Sequence, residues 1–521
     1  MIPELKGKII EGKYKETVSN SQKILGPAWL SVADRNYLTN KTQAFNTDGR
    51  MICIPGADET FTGFLCILIE NAKECVVLSS YLLQEGAVTD ALLKRADEGI
   101  PIYILTARSE DLIKCRDSDE INVYDEQQRE FNKRVNEHKN LLDKLAGKVL
   151  VRTASHFHAK FLLCDPLSEN PNGVMMTCNA TVDALKGNNI EFALQLSKEE
   201  TRSFFALFLQ GFWNESDNEL LEPGKLHSVR NTPALVNSIN FGVVDVPVTF
   251  KDKVTLRDEV ITLIRDAKEE IDLGCWTLSE KDVLDLLCKK AKEGVKVRTY
   301  LRTSIYNSDI ALQLVKAGVE VFGHQRLHAK FVIADKKHGI VMTANISPLG
   351  MDEGFEGGVK LRDDETKTAE NIINIISSLC TLQFFENAKV ADITHAEGNK
   401  SFQDNKIYPI EVIDNRTEER EISVINYMIH IPVQYPALER KYNAKDRYDY
   451  IEVARETILN LSFKPDKLPD ASLLEGEACD VEGVKLYTRK DVKNKKYAQI
   501  ENWEDVEKAE QYLNANYTLV I

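Results

Sequence analysis

The chain has 521 residues, of which 43% are hydrophobic and 28% are charged, and its net charge is −15 at pH 7. This length and composition are typical of a soluble globular protein with several domains. The negative charge disfavours a protein that coats nucleic acid by bulk attraction, although it leaves room for a local basic groove.

Signal-peptide, membrane-span and cysteine patterns further restrict the class of protein. The first residues contain no apolar run of a secretory signal, and no stretch approaches the roughly 18 apolar residues of a membrane span. The ten cysteines are scattered without a C-x-x-C pair, which disfavours a zinc knuckle and a disulfide framework. We therefore expect free thiols in a cytoplasmic protein without a membrane anchor.

The first 50 residues are irregular, and residues 1–50 are treated as an N-terminal extension. Residues 51–215 predict a first α/β unit. It contains an apolar strand at Cys75–Ser80 and a helix at Val88–Asp97, whose apolar residues recur at helical spacing. Gly99 stands where a C-cap glycine ends a helix.

A charged, helix-favouring stretch follows, RSEDLIKCRDSDEINVYDEQQREFNKRVNEHKNLLDKLAGK. It predicts a solvated surface helix or a pair of helices. The alternative is a wall or lid over a site, since loops that leave a sheet often line one.

The segment HFHAKFLLCD then runs from His156 to Asp165, and a second apolar run ends near Asn179. Glu191 lies in a strand-like run, and an amphipathic helix is predicted at Lys198–Trp213.

The same order recurs after a connector at residues 216–250. Residues 251–392 form the second unit, with its corresponding features at Glu270–Cys275 (strand), Lys281–Lys292 (helix), Gly294 (C-cap), Arg326–Asp335 (RLHAKFVIAD), Asn345, Glu356 and Thr366–Phe385 (helix). Residues 405–521 predict a C-terminal accessory α+β domain with a basic cluster at Arg489–Lys496. The chain is therefore predicted to contain two pseudo-symmetric α/β halves, each with a mixed β-sheet flanked by helices.

The histidine segments are the part of the repeat that core packing does not explain. Each places a histidine and a lysine two residues apart, which puts both on one face of a β-strand. The pairs are His158 with Lys160, and His328 with Lys330. In an unbroken strand the aspartates that follow face the other way, which predicts structural support for Asp165 and Asp335.

A metal-free site that cleaves a phosphodiester has to supply positive charge, a nucleophile and a proton for the leaving oxygen. One imidazole can attack phosphorus and the other can protonate the leaving group. A carboxylate on the far ring nitrogen sets the tautomer of an imidazole. The repeat supplies each part twice, as His158, Lys160, Asn179, Glu191, His328, Lys330, Asn345 and Glu356.

A metal site is the alternative use of these histidines. His156 and His158 share a strand face and are able to ligate zinc. The second segment has Arg326 at the position of His156, and no cysteine or carboxylate clearly completes a ligand set. His324 and His338 occur singly and are interpreted as core or surface histidines.

The segments HAKFLLCD…MTCNAT and HAKFVIAD…MTANIS resemble the H-x-K-x4-D signature of the phospholipase D superfamily, in its single-chain, two-motif form. The family often continues as G-S-x-N, whereas this chain has methionine for glycine at Met176 and Met342, and threonine for serine. The resemblance implies a phospholipase D-like fold, a covalent phosphohistidine intermediate and no metal or other cofactor. It also implies that His158 is the nucleophile and His328 the general acid.

The superfamily includes lipases, phosphatidyl transferases, nucleases and enzymes that process DNA ends. Its resemblance and the added C-terminal domain lead us to expect a metal-independent nuclease acting on DNA or RNA. The C-terminal domain would contact nucleic acid or a protein partner, with candidate substrate contacts at Lys493, Lys495 and Lys496; a solvated turn is the other interpretation of that cluster. The alternatives are a phospholipase D or phosphatidyl transferase acting on lipid, and a non-catalytic interaction module.

Overall fold

A computed structural model describes residues 15–16, 24–31, 41–47, 50–107, 125–154, 157–229, 240–303, 305–324, 326–380 and 382–389, together with eight strands beyond residue 407. The two repeats form two mixed ten-stranded sheets flanked by helices. The predicted α/β fold with two similar halves is confirmed.

Two strands come first, β1 (Lys15–Glu16) and β2 (Ile24–Ser31). The first half then contains β3 (Gln43–Thr47), β4 (Arg50–Ile54), α1 (Thr60–Asn71), β5 (Val76–Ser79), α2 (Ala87–Asp97), β6 (Ile102–Thr106), α3 (Asp125–Leu145), β7 (Leu150–Thr153), β8 (Phe161–Cys164), β9 (Asn172–Met176), α4 (Val182–Leu185), β10 (Ala193–Gln195), α5 (Lys198–Gln210), β11 (Asn218–Glu222) and β12 (Lys225–Ser228).

The second half repeats this order. It contains β13 (Val248–Phe250), β14 (Lys253–Val254), α6 (Thr255–Asp266), β15 (Glu270–Cys275), α7 (Lys281–Lys292), β16 (Lys296–Arg302), α8 (Ile305–Lys316), β17 (Glu320–His324), β18 (Phe331–Ala334), β19 (His338–Met342), β20 (Glu356–Leu361), α9 (Thr366–Leu379) and β21 (Leu382–Lys389).

Strand order shows the internal symmetry. The first sheet runs β12-β11-β7-β6-β5-β8-β9-β10-β4-β3, and the second runs β14-β13-β20-β19-β18-β15-β16-β17-β21-β2. In both, three parallel strands, β7-β6-β5 or β17-β16-β15, continue into an antiparallel meander that starts at β8 or β18. The histidine segments lead into β8 and β18, so they lie at equivalent positions of the two sheets.

Local sequence explains why these elements form where they do. The central strands are buried along their length, as continuous apolar runs in a covered sheet should be. After α2 and α7, Gly99 and Gly294 adopt φ of 89° and 91°, a left-handed conformation that glycine adopts without a Cβ clash. The predicted C-cap positions are confirmed, and each glycine turns the chain into the next parallel strand.

The two halves share one hydrophobic core. Phe157 packs on Phe355 with ring centroids 4.6 Å apart, and Phe192 packs edge-on against Phe331 at 5.8 Å. A buried ion pair also joins the halves, since Arg50 on β4 binds Glu365 at 2.6 Å. The contact is therefore a packed interior that fixes one half against the other.

Several boundaries differ from the sequence expectation. The helix predicted at Thr366–Phe385 ends at Leu379, and the chain continues as β21 because this segment pairs with both β17 and β2. The helix predicted at Lys198–Trp213 ends at Gln210 and passes into a π-helical turn at Gly211–Glu215.

Some strands of the two sheets also lie outside the residue ranges predicted for the two halves. Within residues 1–50, β3 belongs to the first sheet and β2 to the second, while β11 and β12 of the expected connector extend the first sheet. Strand pairing over long sequence distances decides these memberships, and local pattern does not report it.

Beyond residue 407 the described strands are β22 (Tyr408–Asp414), β23 (Arg420–Tyr427), β24 (Lys441–Ala444), β25 (Tyr450–Glu452), β26 (Leu474–Val481), β27 (Val484–Arg489), β28 (Lys495–Gln499) and β29 (Tyr517–Val520). They form the sheets β1-β22-β23 and β26-β27-β28-β25-β24-β29. Lys495 and Lys496 lie on β28, and Lys493 lies outside the described residues. No helix among the described residues has the length and apolar character needed to cross a membrane.

Candidate active site

The backbone of the second half positions His158. The amides of His158 and Ala159 both donate to the Phe355 carbonyl, at 3.1 and 2.8 Å. The next residue of the second half, Glu356, holds the imidazole, with Glu356 Oε1 2.6 Å from His158 Nδ1. The strand β8 begins only at Phe161, so the histidine lies in the extended segment that enters the strand.

His328 is held in the same way by the first half. The amides of His328 and Ala329 donate to the Ile190 carbonyl at 3.0 and 2.8 Å. Glu191 Oε1 then lies 2.7 Å from His328 Nδ1. Each half therefore supplies the carboxylate for the histidine of the other half.

Both glutamates are almost fully buried and are held by a threonine of their own half. Thr177 donates to Glu191 Oε2 at 2.6 Å, and Thr343 donates to Glu356. Burial alone would raise the pKa of Glu191, but the charges of His328 and nearby Lys330 lower it, and the balance is a lowered pKa. The pKa of Glu356 is lowered in the same way against burial. The ionised Glu356 carboxylate fixes the tautomer of His158 by accepting its Nδ1 proton.

The two lysines are completely buried next to the histidines. Lys160 Nζ donates to the His158 carbonyl at 2.7 Å, and Lys330 Nζ lies 3.0 Å from His328 Nδ1. Burying an ammonium group is costly unless anionic partners compensate it. The buried carboxylates contribute to that compensation, Glu356 for Lys160 and Glu191 for Lys330.

The asparagines differ between the halves. Asn179 Oδ1 accepts from the Leu82 amide at 3.4 Å. Asn345 is 5% exposed, and its Oδ1 has no hydrogen-bond partner among the described residues. The two asparagines are therefore not equivalent in their contacts.

Two aromatic side chains flank the histidines, and the sequence interpretation missed them. The Tyr81 ring lies 5.3 Å from that of His158, and the Trp276 ring lies 5.0 Å from that of His328. They occupy matching positions just after β5 and β15. The aligned repeats contained this signal, because an aromatic residue follows the first strand in both.

Helix α3, part of the charged insertion, packs behind Tyr81. Val135 joins Tyr81, Leu82 and Ala107 in an apolar cluster. Buried His138 accepts from the Leu83 amide at Nδ1 and bonds the Ala107 carbonyl through Nε2, both at 3.0 Å, and burial lowers the pKa of His138. This geometry fits the alternative of a wall better than that of a purely solvated helix.

The aspartates lie at the far end of strands β8 and β18. Asp165 accepts from the amides of residues 73, 74 and 75, and Asp335 accepts from those of 268, 269 and 270, at 2.7–3.1 Å. Both adopt φ of 51°, a left-handed conformation that aspartate tolerates. Each carboxylate closes the turn that leads into β5 or β15.

Some predicted positions lie apart from this site. His156 lies outside the described residues, and within the described part of the chain no three His, Cys, Asp or Glu side chains form a metal-binding group. His338 is exposed, 3.5 Å from Asp363. His324 is buried on the second-half side of the site.

Comparison with solved structures finds similar chains at low sequence identity. Nuc, a phospholipase D family member from Salmonella typhimurium, is 17% identical and covers 27% of this chain and 99% of its own, with a TM-score of 0.25. Phosphatidylserine synthase from Haemophilus influenzae is 10% identical and covers 71% and 91%, with a TM-score of 0.42. Polyphosphate kinase from Porphyromonas gingivalis is 14% identical and covers 65% and 47%, with a TM-score of 0.37.

A search of curated proteins by sequence found no match. The family model described as "Cardiolipin synthase, PLD-like domain" matches residues 65–213 and 260–379. These two ranges include both histidine segments and both glutamates, and they cover more than half of the chain. The chain therefore belongs to this family of the phospholipase D superfamily.

Proposed function

We propose that the chain is a metal-independent phosphodiesterase that cleaves nucleic acid through a phosphohistidine intermediate. The observation that carries this proposal is the reciprocal His–Glu pairing, in which His158 is hydrogen-bonded to Glu356 and His328 lies 2.7 Å from Glu191 Oε1. Two oriented imidazoles at one site can divide the work of nucleophile and general acid.

The proposed reaction has two steps. In the first, His158 Nε2 forms a bond to phosphorus, the bond to the leaving oxygen breaks, and His328 gives that oxygen a proton. In the second, His328 removes a proton from water, the water oxygen attacks phosphorus, and the bond to His158 breaks. Nε2 is the attacking nitrogen because Nδ1 is bonded to Glu356.

The remaining site residues stabilise charge. Lys160 and Lys330, both buried, are the proposed cations that neutralise the non-bridging oxygens of a phosphate. Asn179 and Asn345 are the proposed hydrogen-bonding partners of the same group. Asp165 and Asp335 bond only to backbone amides in the contacts described above, so we assign them a structural role.

Nucleic acid is the preferred substrate because positive charge continues beside the site. The Arg302 guanidinium lies 5.1 Å from the ring of Trp276, which packs on His328. Lys495 and Lys496, together with Lys493, provide a second proposed contact to phosphates. A polyanionic strand benefits from several such cations, whereas a single phosphodiester has one negative charge to offer.

A lipid substrate is the second candidate, and the description of the matching family model as a cardiolipin synthase favours it. Purified protein would be incubated in excess EDTA with labelled single-stranded DNA, double-stranded DNA, RNA and phospholipid vesicles. We expect cleavage of nucleic acid and intact lipid. Hydrolysis of lipid alone would reverse the substrate assignment, and activity that requires added Mg²⁺ or Zn²⁺ would contradict the mechanism.

Two variants control for contaminating enzymes. His158→Ala should abolish cleavage. His338→Ala removes an exposed imidazole outside the site and should retain full activity. A preparation in which His158→Ala is as active as the parent protein would owe its activity to a contaminant.

A further inference from the structure

The two halves differ at the ends of their second and third parallel strands. In the second half, Arg302 ends β16 and pairs in register with His324, which ends β17. In the first half the corresponding positions follow the pair Thr106–Thr153, and both are buried alanines, Ala107 and Ala154. The carboxyl ends of parallel strands are where α/β proteins bind ligands, so this difference concerns the site.

Three side chains make up what we call the Arg302 cluster: Arg302, His324 and Arg326. Arg302 and His324 are each 8% exposed. The Arg326 amide donates to His324 Nδ1 at 3.0 Å, and the charges of both arginines act on the His324 ring. Arg302 and His324 are therefore neighbours at the ends of adjacent strands, and Arg326 follows two residues after His324.

The Arg302 cluster is connected to His328 by side-chain packing and by backbone hydrogen bonds. Trp276 lies between Arg302 and His328, 5.1 Å from the guanidinium and 5.0 Å from the imidazole. Along the backbone, the Arg326 carbonyl accepts from the Ile190 amide at 2.7 Å, and the Ile190 carbonyl accepts from the His328 amide at 3.0 Å. The Arg302 cluster is thus built into the same wall as the proposed general acid.

The charge state of the cluster suits an anion. Burial, followed by the charges of Arg326 and Arg302, lowers the pKa of His324 to about 3. His324 is then neutral near pH 7, and its proton lies on Nε2 because Nδ1 accepts from an amide. Two permanent guanidinium charges and one neutral N–H donor match the bidentate recognition of a phosphate.

The opposite wall has a different character. Ala107 is covered by helix α3, in an apolar cluster with Tyr81, Leu82 and Val135. His138 of the same helix is buried, and burial lowers its pKa. An anionic group gains no compensating charge from these described residues.

We propose that the Arg302 cluster binds a second phosphate of the substrate, the next one along the strand from the reacting phosphate. This inference rests on the proposed cleavage of nucleic acid and concerns the side of the reacting phosphate on which the second phosphate lies. Since His328 is the proposed general acid, the second phosphate belongs to the leaving group.

Dinucleotides provide the direct test. The value of kcat/KM would be measured for a dithymidine with one phosphodiester, and for the same compound carrying an extra 5′-phosphate or an extra 3′-phosphate. We expect one of the two phosphorylated forms to be preferred by at least about tenfold, the scale of a charge-assisted hydrogen bond. Arg302→Gln should reduce this preference to about twofold or less, and Arg302→Lys should retain part of it.

Arg202→Gln is the matched control. It removes the same charge from α5, where the exposed Arg202 side chain donates to the Ser168 carbonyl beyond Asp165, and it should keep the full preference. Equal rates for all three dinucleotides in the parent protein, or a preference that survives Arg302→Gln, would overturn the proposal.

A binding experiment separates this inference from the proposed function. Calorimetry would compare thymidine 3′,5′-bisphosphate with thymidine 5′-monophosphate and thymidine 3′-monophosphate, and we expect the bisphosphate to bind at least about tenfold more tightly than either to the parent protein. Arg302→Gln should lose this advantage. If no dinucleotide is cut while the advantage is present and Arg302-dependent, nuclease function falls and the subsite stands; if the advantage is absent, the subsite falls.

Folding of the variants is checked by circular dichroism. Should Arg302→Gln fail to fold, Arg326→Gln replaces it in both experiments, because Arg326 is only partly buried. An Arg326→Gln protein that folds and retains both the end-phosphate preference and the bisphosphate advantage would also overturn the proposal.

Discussion

Replacing Asp335 by asparagine tests whether this aspartate supports the fold or the chemistry. Its carboxylate accepts from the amides of Lys268, Glu269 and Glu270 at 2.7–3.1 Å. Asparagine keeps the size of the side chain and tolerates φ of 51°. It removes the negative charge and turns one acceptor into a donor, which then faces an amide N–H.

The magnitude follows from these contacts. Hydrogen bonds to charged groups contribute about 1.5–3 kcal/mol each, and Asp335 is partly exposed, so the lower end of that range applies. We expect Asp335→Asn to lower the free energy of unfolding by about 2 kcal/mol, and Tm by about 4–8 °C if the second half unfolds as a unit.

The effect should depend on pH. Burial alone would raise the pKa of Asp335, but the three backbone N–H groups lower it overall. A carboxyl whose folded pKa lies below its unfolded value stabilises the fold above the unfolded pKa of about 3.9, and this contribution is lost as pH falls through the folded pKa. The difference in stability between parent and variant should therefore be full at pH 7 and shrink below about pH 4.

Differential scanning calorimetry across pH gives the stability, and kcat on a chromogenic diester at a temperature where both proteins are folded gives the chemistry. Asp363→Asn, which makes the same change at a 95% exposed side chain, should leave Tm unchanged. A folded Asp335→Asn enzyme as inactive as Lys330→Ala would refute the assignment of a structural role.

Three further predictions concern the site and the C-terminal region. His328→Ala should slow a substrate with a poor leaving group far more than one with nitrophenolate, which needs no proton, whereas His158→Ala should abolish the phosphoenzyme in a trapping experiment; an adduct on His158→Ala but not on His328→Ala would reverse the roles. Glu356→Gln should lower kcat by about a hundredfold or more, because the imidazole loses the carboxylate that fixes its tautomer, and a kcat within threefold of the parent value would contradict that reasoning. Replacing Lys493, Lys495 and Lys496 together by glutamate should raise KM for nucleic acid and weaken its salt dependence without changing kcat at saturation. Unaltered binding in a filter-retention assay would show that these lysines do not contact the substrate.

Much of the fold was predictable because its signals are local. The strand Glu270–Cys275 and the helix Lys281–Lys292 have the bounds that the sequence predicts, since apolar spacing and a C-cap glycine act over a few residues. The end of the helix at Leu379 was not predictable in this way. Apolar residues continue at helical spacing into the next segment, and only pairing with two distant strands makes β21 extended.

The candidate site was likewise predictable only in its locally encoded features. The repeat predicted the residue types, and a carboxylate for each imidazole. It did not predict that Glu356 bonds His158 and Glu191 bonds His328, because this exchange depends on how two halves dock and leaves no periodic signal. Arg302 was missed because the sequence analysis used positions at which the two repeats match. At this position they differ, since the first half has Ala107.

The exchange of glutamates between halves has a consequence for how activity is gained and lost. Neither half on its own contains an oriented imidazole, so secondary structure can be complete before any turnover is possible. Catalysis therefore depends on the docking of the two halves, and on heating it should be lost when their shared interior opens. A substitution that loosens the shared interior should also disturb the orientation of both imidazoles at once, because each depends on a glutamate of the other half.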